Sequence, residues 1–360
     1  MIFLILIIGL LIIQDFLLLL VFRADPILAQ KETPKVTLMI AVRNESANME
    51  PLIQSLKALD YPVDRLQILI GDDRSEDDTW QKLKELTAGD DRFTCYEIAP
   101  LYPLNGKANV LAQLSVYARG DYYLYTDADC RPNAQWVRQM LAQLMNKNAA
   151  LISGITTVSS GGYYGHLQNL DWLLTLGMVK AITRLGLPVT AMGNNMAITQ
   201  NAYQQVGGFA TQPFSLTEDF ELMHQVKSKK GSIDLIINAA THIYTHPIAD
   251  LKGLLQQRKR WMTGAVKLPF LLVFLLGLQV AFFPAVVALI CNHMTLGVFA
   301  WMIKLSIQSL FIQKVARSAE QRVSFWHFLF YEIYYLSLSI ATVVYFILPI
   351  KTYWKGKSYK

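Results

Sequence analysis

Cysteine is scarce in this chain of 360 residues: Cys95, Cys130 and Cys291 stand far apart, with no Cys-x-x-Cys. The spacing offers neither a disulfide framework nor a zinc site, and it fits a domain kept in a reducing compartment. Charge is thin as well. Asp, Glu, Lys and Arg make up 17% of the residues, the formal balance is 33 − 27 = +6, and no run rich in Lys and Arg occurs. This argues against nucleic acid as a partner and for a basic surface facing a membrane. The first strand turn carries no Gly-x-Gly-x-x-Gly, and Gly-x-x-x-x-Gly-Lys-Ser/Thr occurs nowhere. Neither the dinucleotide fingerprint nor a P-loop is therefore available to hold phosphate.

Apolar residues are abundant, at 53% of the chain, and they concentrate at its two ends. Residues 1–22 are apolar except for Gln14 and Asp15 and are long enough to cross a bilayer, which takes about 20 residues. With no basic start and no small-residue cleavage site, the segment reads as a retained transmembrane anchor. Asp15 is costly in hydrocarbon and is expected to face another helix or water. Leu268 to Ile290, Met294 to Gln313 and Ser324 to Ile350 are each long enough to cross once, although Lys304, His327 and Glu332 interrupt the last two. Arg23, Lys31 and Lys35 follow the anchor while nothing basic precedes it. The positive-inside rule then places the middle of the chain in the cytoplasm, under a multi-pass arrangement in the cell membrane. The basic loop at Lys314, Arg317 and Arg322 and the basic tail from Lys351 pull against one another, leaving the number of C-terminal crossings open at about three.

Between these ends the composition is that of a globular domain. Val36 to Val42 is a continuous apolar run, Leu52, Ile53, Leu56 and Leu59 follow at helical spacing, and Leu66 to Ile70 runs into Gly71-Asp72-Asp73. The alternation continues through Phe93 to Ile98, Asn109 to Ala118 and Tyr122 to Thr126, which predicts an α/β domain on a mainly parallel sheet. Ligands of such sheets bind outside the carboxyl ends of the strands, where Arg43, Asp72, Asp73, Asp127 and Asp129 fall. Asp127 and Asp129 close the strand Tyr122 to Thr126 as two hard oxygen donors one residue apart. They suit Mg2+ or Mn2+, which take one or two protein carboxylates and fill the remaining positions with water and substrate phosphate. Taken alone, the pair also reads as an ordinary polar turn. Leu167 to Leu185 has helical spacing, with core packing as its first reading and a membrane-facing position for Trp172 and Lys180 as its second. Gly193-Asn194-Asn195 predicts a turn into a strand, and Gly207-Gly208-Phe209 a tight loop where backbone approaches a substrate.

Five motifs occur in order: Asp72-Asp73-Arg74-Ser75-Glu76-Asp77-Asp78-Thr79, Gly106-Lys107-Ala108-Asn109, Asp127-Ala128-Asp129, Thr217-Glu218-Asp219 and Gln257-Arg258-Lys259-Arg260-Trp261. Together they make the chain resemble the membrane-bound, inverting family-two glycosyltransferases. The resemblance covers roughly residues 34–264 and implies a GT-A-type, Rossmann-like domain there, with 1–22 as the N-terminal anchor and 268–350 as C-terminal transmembrane or interfacial helices. It further implies a nucleotide-diphosphate sugar as donor, a UDP-sugar favoured, and Asp127 and Asp129 as the metal holders. By the same resemblance Asp72 and Asp73 contact base and ribose, with Arg43 and Glu45 at the first strand end. Asp219 becomes the base that takes the acceptor proton, Glu218 being the alternative.

Each of these residues has a plainer reading. Asp72, Asp77 and Asp78 could cap a helix, as could Thr217. Lys107 stands near phosphate or nucleotide, or is a surface lysine. Arg260 pairs with phosphate and Trp261 packs on the acceptor sugar or the nucleotide, beside Gln257; without the upstream motifs that stretch is a basic interfacial helix. A Thr-Glu pair often found ahead of this helix is Thr245-His246 here, and His246 is either a metal or phosphate neighbour or structural. The expected activity is transfer to a membrane lipid acceptor with formation of a β-glycoside. A processive polysaccharide synthase is the rival enzyme, and an inactive sugar-nucleotide-binding membrane protein the rival of another class.

Overall fold

The computed structural model describes residues 2–29, 32–101, 104, 106–159, 161–354 and 357–359, with side chains as far as Lys351. The chain divides into two compact units: one holds residues 24–157 and 190–246, the other residues 1–23, 158–189 and 247–360. Residues 158–189 and 247–264, which lie within the span matched by the motifs, therefore group with the apolar helices.

The first unit is built on a seven-stranded sheet. Its strands are β1 (Val36–Val42), β2 (Leu66–Asp72), β3 (Phe93–Glu97), β4 (Tyr122–Thr126), β6 (Leu151–Gly154), β8 (Asn195–Thr199) and β9 (Ile233–Ile236), in the order β3-β2-β1-β4-β8-β6-β9. Three short strands, β5 (Arg131–Pro132), β7 (Thr156–Val158) and β10 (Ile243–Thr245), form a second sheet. β1 is apolar apart from Thr37 because it is parallel to both neighbours and covered on both faces, with Leu38, Met39 and Ile40 fully buried. Helix α2 (Ser46–Lys57) covers one face with Met49, Leu52, Ile53 and Leu56, and α5 (Trp136–Asn146) adds Trp136, Val137, Met140 and Leu141 to the same core. Burying each such side chain contributes about 1.5–3 kcal/mol.

The expected parallel sheet is present with one departure: β8 runs antiparallel to β4 and β6. Register follows from this. Val42 lies opposite Asp72 across β1 and β2, and Thr126 opposite Asn195 across β4 and β8. The carboxyl ends of β1, β2 and β4 thus meet the start of β8 at one sheet edge, which receives the Gly193 turn. Helices α3 (Thr79–Thr87), α4 (Gly106–Ser115), α7 (Gln200–Gln205) and α8 (Glu218–Ser228) complete this unit.

The Gly207-Gly208 loop is the tight turn expected. Both glycines have positive φ, +76° and +59°, and a Cβ on Gly208 would lie 2.2 Å from the Tyr203 ring. The tight turn lets the backbone at Gly208 pack closely on Tyr203.

The second unit is helical: α1 (Ile2–Val21), α6 (Gly162–Arg184), α9 (Leu251–Ala265), α10 (Phe270–Asn292), α11 (Met294–Ser318) and α12 (Phe325–Ile347). Four of these, α1, α10, α11 and α12, are long and apolar enough to cross a membrane. Asp15 on α1 accepts a hydrogen bond from Gln279 of α10 at 3.0 Å, so it faces another helix as its cost in hydrocarbon requires. Lys304 and Glu332 do not break their helices; they pair at 2.5 Å between α11 and α12, and Gln308 donates to Glu332 at 3.2 Å. α6 is a packed helix. Gly177 lets Phe311 and Val315 of α11 approach so closely that a Cβ would lie 2.9 and 2.6 Å from them. Trp172 and Lys180 are buried, which removes the membrane-facing reading for both.

Candidate active site

β1 and β2 end side by side, and their terminal residues pair. Arg43 meets Asp73 at 3.3 Å and Glu76 at 3.6 Å, while Arg74, held at φ +57°, meets Asp73 at 3.2 Å. Asp73 is buried and carries two guanidinium partners, a poor fit to a surface turn. Asp72, also buried, accepts from the Ser75 backbone N–H at 2.9 Å and from the Ser75 hydroxyl. It shapes the loop and caps no helix. Capping falls to Asp77, whose carboxylate accepts from the backbone N–H of Thr79 at 3.0 Å and of Ser46 at 3.2 Å, whereas Asp78 makes no side-chain cap bond. Glu45 accepts from Asn48 Nδ2 at 2.7 Å at the start of α2.

At the end of β4 the carboxylates gather around one lysine. Lys107, in the first turn of α4, places Nζ 2.6 Å from Asp127 and 3.2 Å from Glu218. Burial alone would push its proton off, but the charges of Asp127, Glu218 and Asp219 outweigh burial and hold it above the ordinary lysine range. Lys107 is thus a fixed cation and not a surface lysine. Asp129 accepts from the Thr245 hydroxyl at 2.8 Å across from β10. Arg131 braces the loop by donating to the carbonyls of Ala128 at 2.9 Å and Cys130 at 2.8 Å, and to Asn48 Oδ1 at 2.9 Å.

Asp219 sits in the first turn of α8, with both oxygens held by backbone. Oδ2 accepts from the Gly193 N–H at 2.7 Å and Oδ1 from the Phe220 N–H at 2.8 Å. A Cβ on Gly193 would lie 2.9 Å from Asp219 atoms, so no larger residue fits there without displacing the carboxylate. Burial raises the proton affinity of Asp219 and the neighbouring Glu218 charge adds to it, against the opposing pull of Lys107 and the two N–H groups. Thr217 makes no side-chain cap bond, which removes the capping reading for it.

The site residues of this unit thus meet at one edge. Those of the Gln257–Trp261 motif lie in the helical unit, on α9, where Trp261 packs edge-on against Trp172 at 5.4 Å and stacks under Arg258 at 5.0 Å. Arg258 pairs with Asp171 of α6. The Gln257 side-chain oxygen is buried with no hydrogen bond among the described residues. Sequence reasoning missed Gly193 as the donor to Asp219 and Thr245 as the donor to Asp129; the departure at Thr245-His246 was a signal for the second. His246 itself is exposed.

Asp127 and Asp129 fit a divalent cation by donor chemistry. They are hard oxygen ligands, and the surrounding carboxylates outnumber the one lysine that balances them. Among the described residues no three His, Cys, Asp or Glu side chains converge as a metal cluster, so such a cation would draw further ligands from water and phosphate.

A parallel-rich sheet with acidic residues at its carboxyl edge and a helix-borne carboxylate facing them is the arrangement of GT-A-type glycosyltransferases. A mannosyltransferase from Pyrobaculum calidifontis, solved in complex with GDP-Man and Mn2+, shares this fold with a TM-score of 0.58 at 16% identity, over 96% of this chain and 99% of that one. The chain belongs to glycosyl transferase family 21, whose family model matches residues 2–360. It is 26% identical over 242 residues to a probable glycosyltransferase of Bacillus subtilis, covering 65% of this chain and 56% of that protein. It is 23% identical over 237 residues to a beta-monoglucosyldiacylglycerol synthase of Trichormus variabilis, covering 65% and 50%. The chain thus spans about half the length of the curated relatives it matches.

Proposed function

We propose that this glycosyltransferase moves a hexose, with inversion, from a nucleotide-diphosphate sugar to a hydroxyl of a membrane lipid, forming a β-glycoside. A UDP-sugar is the favoured donor. The observation that carries the reading is the Asp219 carboxylate, fixed by two backbone N–H groups beside the Lys107–Asp127–Glu218 cluster, in a chain with four helices of membrane-crossing length. The relative named for monoglucosyldiacylglycerol synthesis supports the lipid acceptor.

Asp219 accepts the proton of the attacking hydroxyl at the oxygen lone pairs its two N–H partners leave open; burial and the Glu218 charge raise its proton affinity, which favours that role. Glu218, tied to Lys107, is the weaker candidate. Asp127 and Asp129 hold Mg2+ or Mn2+, which when bound supplies Lewis-acid neutralisation of the diphosphate leaving group. Asp72 and Asp73 orient the nucleoside, with Arg43 and Glu45 bracing the same edge. Arg260 is assigned to phosphate and Trp261 to a sugar face, with Gln257 beside them. The region 34–264 carries this chemistry on the cytoplasmic side, between the 1–22 anchor and the 268–350 helices.

The test supplies protein reconstituted in lipid vesicles with labelled UDP-hexoses and Mn2+, then separates the products. Label in a solvent-extractable glycolipid of β configuration by NMR is expected. Label in high-mass, lipid-free polymer in the vesicle lumen would instead make the chain a processive synthase.

A further inference from the structure

Basic side chains gather where α1 ends. Arg23 donates from Nη1 to the carbonyls of Leu20 at 2.8 Å and Phe22 at 3.0 Å. Lys314 of α11 donates from Nζ to the carbonyls of Leu19 at 3.0 Å and of the same Phe22 at 3.2 Å. The last carbonyls of a helix lack intrahelical donors and carry its negative end, which draws both cations there. Arg317, one turn on from Lys314, is exposed, and its side chain has no partner among the described residues. No ion pair among the described residues involves Arg23, Lys314 or Arg317. The cluster therefore keeps a positive charge that no carboxylate among the described residues pairs with.

Beside it opens a groove of about 490 Å³ lined by Leu19, Leu310, Gln313, Lys314, Arg317 and Ser318. On α11 these residues fall at i, i+3, i+4, i+7 and i+8, so they share one helix face. Read from the middle of the helix toward its end, that face runs from leucine through amide to ammonium, guanidinium and hydroxyl. The sequence of surfaces matches an amphiphile whose tail lies deeper than its anionic head. α1 and α11 are both of membrane-crossing length, which sets the two ends of the groove at hydrocarbon and headgroup depth.

We propose that this groove binds one anionic phospholipid, its phosphate among Lys314, Arg317 and Ser318 and an acyl chain along Leu19 and Leu310. The unbalanced charge selects a lipid of net negative charge over a zwitterionic one, because a choline head brings its own cation to the cluster. Lys314 has three donors and spends two on carbonyls, so a phosphate oxygen adds to its partners without displacing them. The site is independent of the donor and acceptor assigned above.

The test uses the full chain in nanodiscs of phosphatidylcholine, with and without phosphatidylglycerol, and counts retained phosphatidylglycerol by native mass spectrometry. One retained molecule per chain is expected. Arg317→Gln, which removes no hydrogen bond or ion pair among the described residues, should weaken retention about fivefold, and adding Lys314→Gln should weaken it about 25-fold. Lys57→Gln, an exposed change of the same charge on α2, should leave retention as it was. Equal retention by wild type and Arg317→Gln would overturn the proposal, as would equal losses from Arg317→Gln and Lys57→Gln. Displacement of the lipid by inorganic phosphate alone would also overturn it, making this a phosphate site. Unchanged melting of Arg317→Gln separates lost binding from lost folding.

Discussion

Two lysines meet carboxylates at nearly the same distance in this molecule, and their surroundings differ. Lys107 lies 2.6 Å from Asp127 at a sheet edge, where Asp127 keeps a third of its side chain exposed at 33%. Lys304 lies 2.5 Å from Glu332 between two long apolar helices, with side chains only 2% and 7% exposed and Gln308 filling in beside them. The first pair is one link in an excess of carboxylates and can be rearranged by an incoming charge. The second is closed, with the buried Asp15 carboxylate of α1 near enough to feel both charges. A buried pair of that kind is weak evidence of stability gained, yet breaking it is costly because one uncompensated charge stays behind. The same chemistry thus serves an open site in one unit and fixed helix register in the other.

The comparison breaks first at the open site. Asp129→Ala should lower transfer on the order of 10⁴-fold in reconstituted protein, since the leaving diphosphate loses its neutralising cation. Unchanged, metal-dependent turnover would remove Asp129 from the site. Asp219→Asn should cost about 10²–10⁴-fold in turnover while donor binding, read by calorimetry, persists. Because burial lifts the proton affinity of Asp219, the acid limb of the wild-type rate profile should lie above the ordinary aspartate range. Activity is full where Asp219 is ionised and falls as pH drops through that limb; Asp219→Asn should abolish the limb.

The closed pair should answer in stability. Lys304→Met leaves Glu332 buried without its cation and should lower unfolding free energy by about 3–5 kcal/mol, seen as a lower melting temperature in detergent. Lys304→Met with Glu332→Leu should recover most of the loss; no recovery would show that the pair does more than balance charge. The smallest effect is expected at Thr245→Val, which removes the hydroxyl that orients Asp129. About a tenfold higher Mn2+ requirement, with the fold unchanged, is the expected titration result.

Much of the sheet-based unit was legible because parallel strands covered on both faces read as largely apolar runs, as Val36 to Val42 does with Thr37 alone interrupting it. The carboxylates were legible because they follow such runs directly. Strand direction was not: β8 has the same residue types whichever way it runs, and only its pairing with β4 makes it antiparallel. β5, β7 and β10 are too short to show a period. Gly193 and Thr245 escaped notice for another reason. Their partners, Asp219 and Asp129, lie 26 and 116 positions away, and a contact between distant residues leaves no local pattern. Trp172 and Lys180 were given a membrane-facing alternative from residue type, and tertiary burial overrode it.

The place of β4 in the sheet has a consequence for synthesis. It is flanked by β1, made long before it, and by β8, whose last residue, Thr199, follows Thr126 by 73 positions. At roughly 5–20 residues per second, the strand that ends at Thr126 waits on the order of 4–15 s with one edge bare. An unpaired edge is open to the wrong neighbour. The nascent chain therefore passes through a window in which the β4 edge beside the candidate site is open to pairing, and the window closes only once residues 195–199 are available.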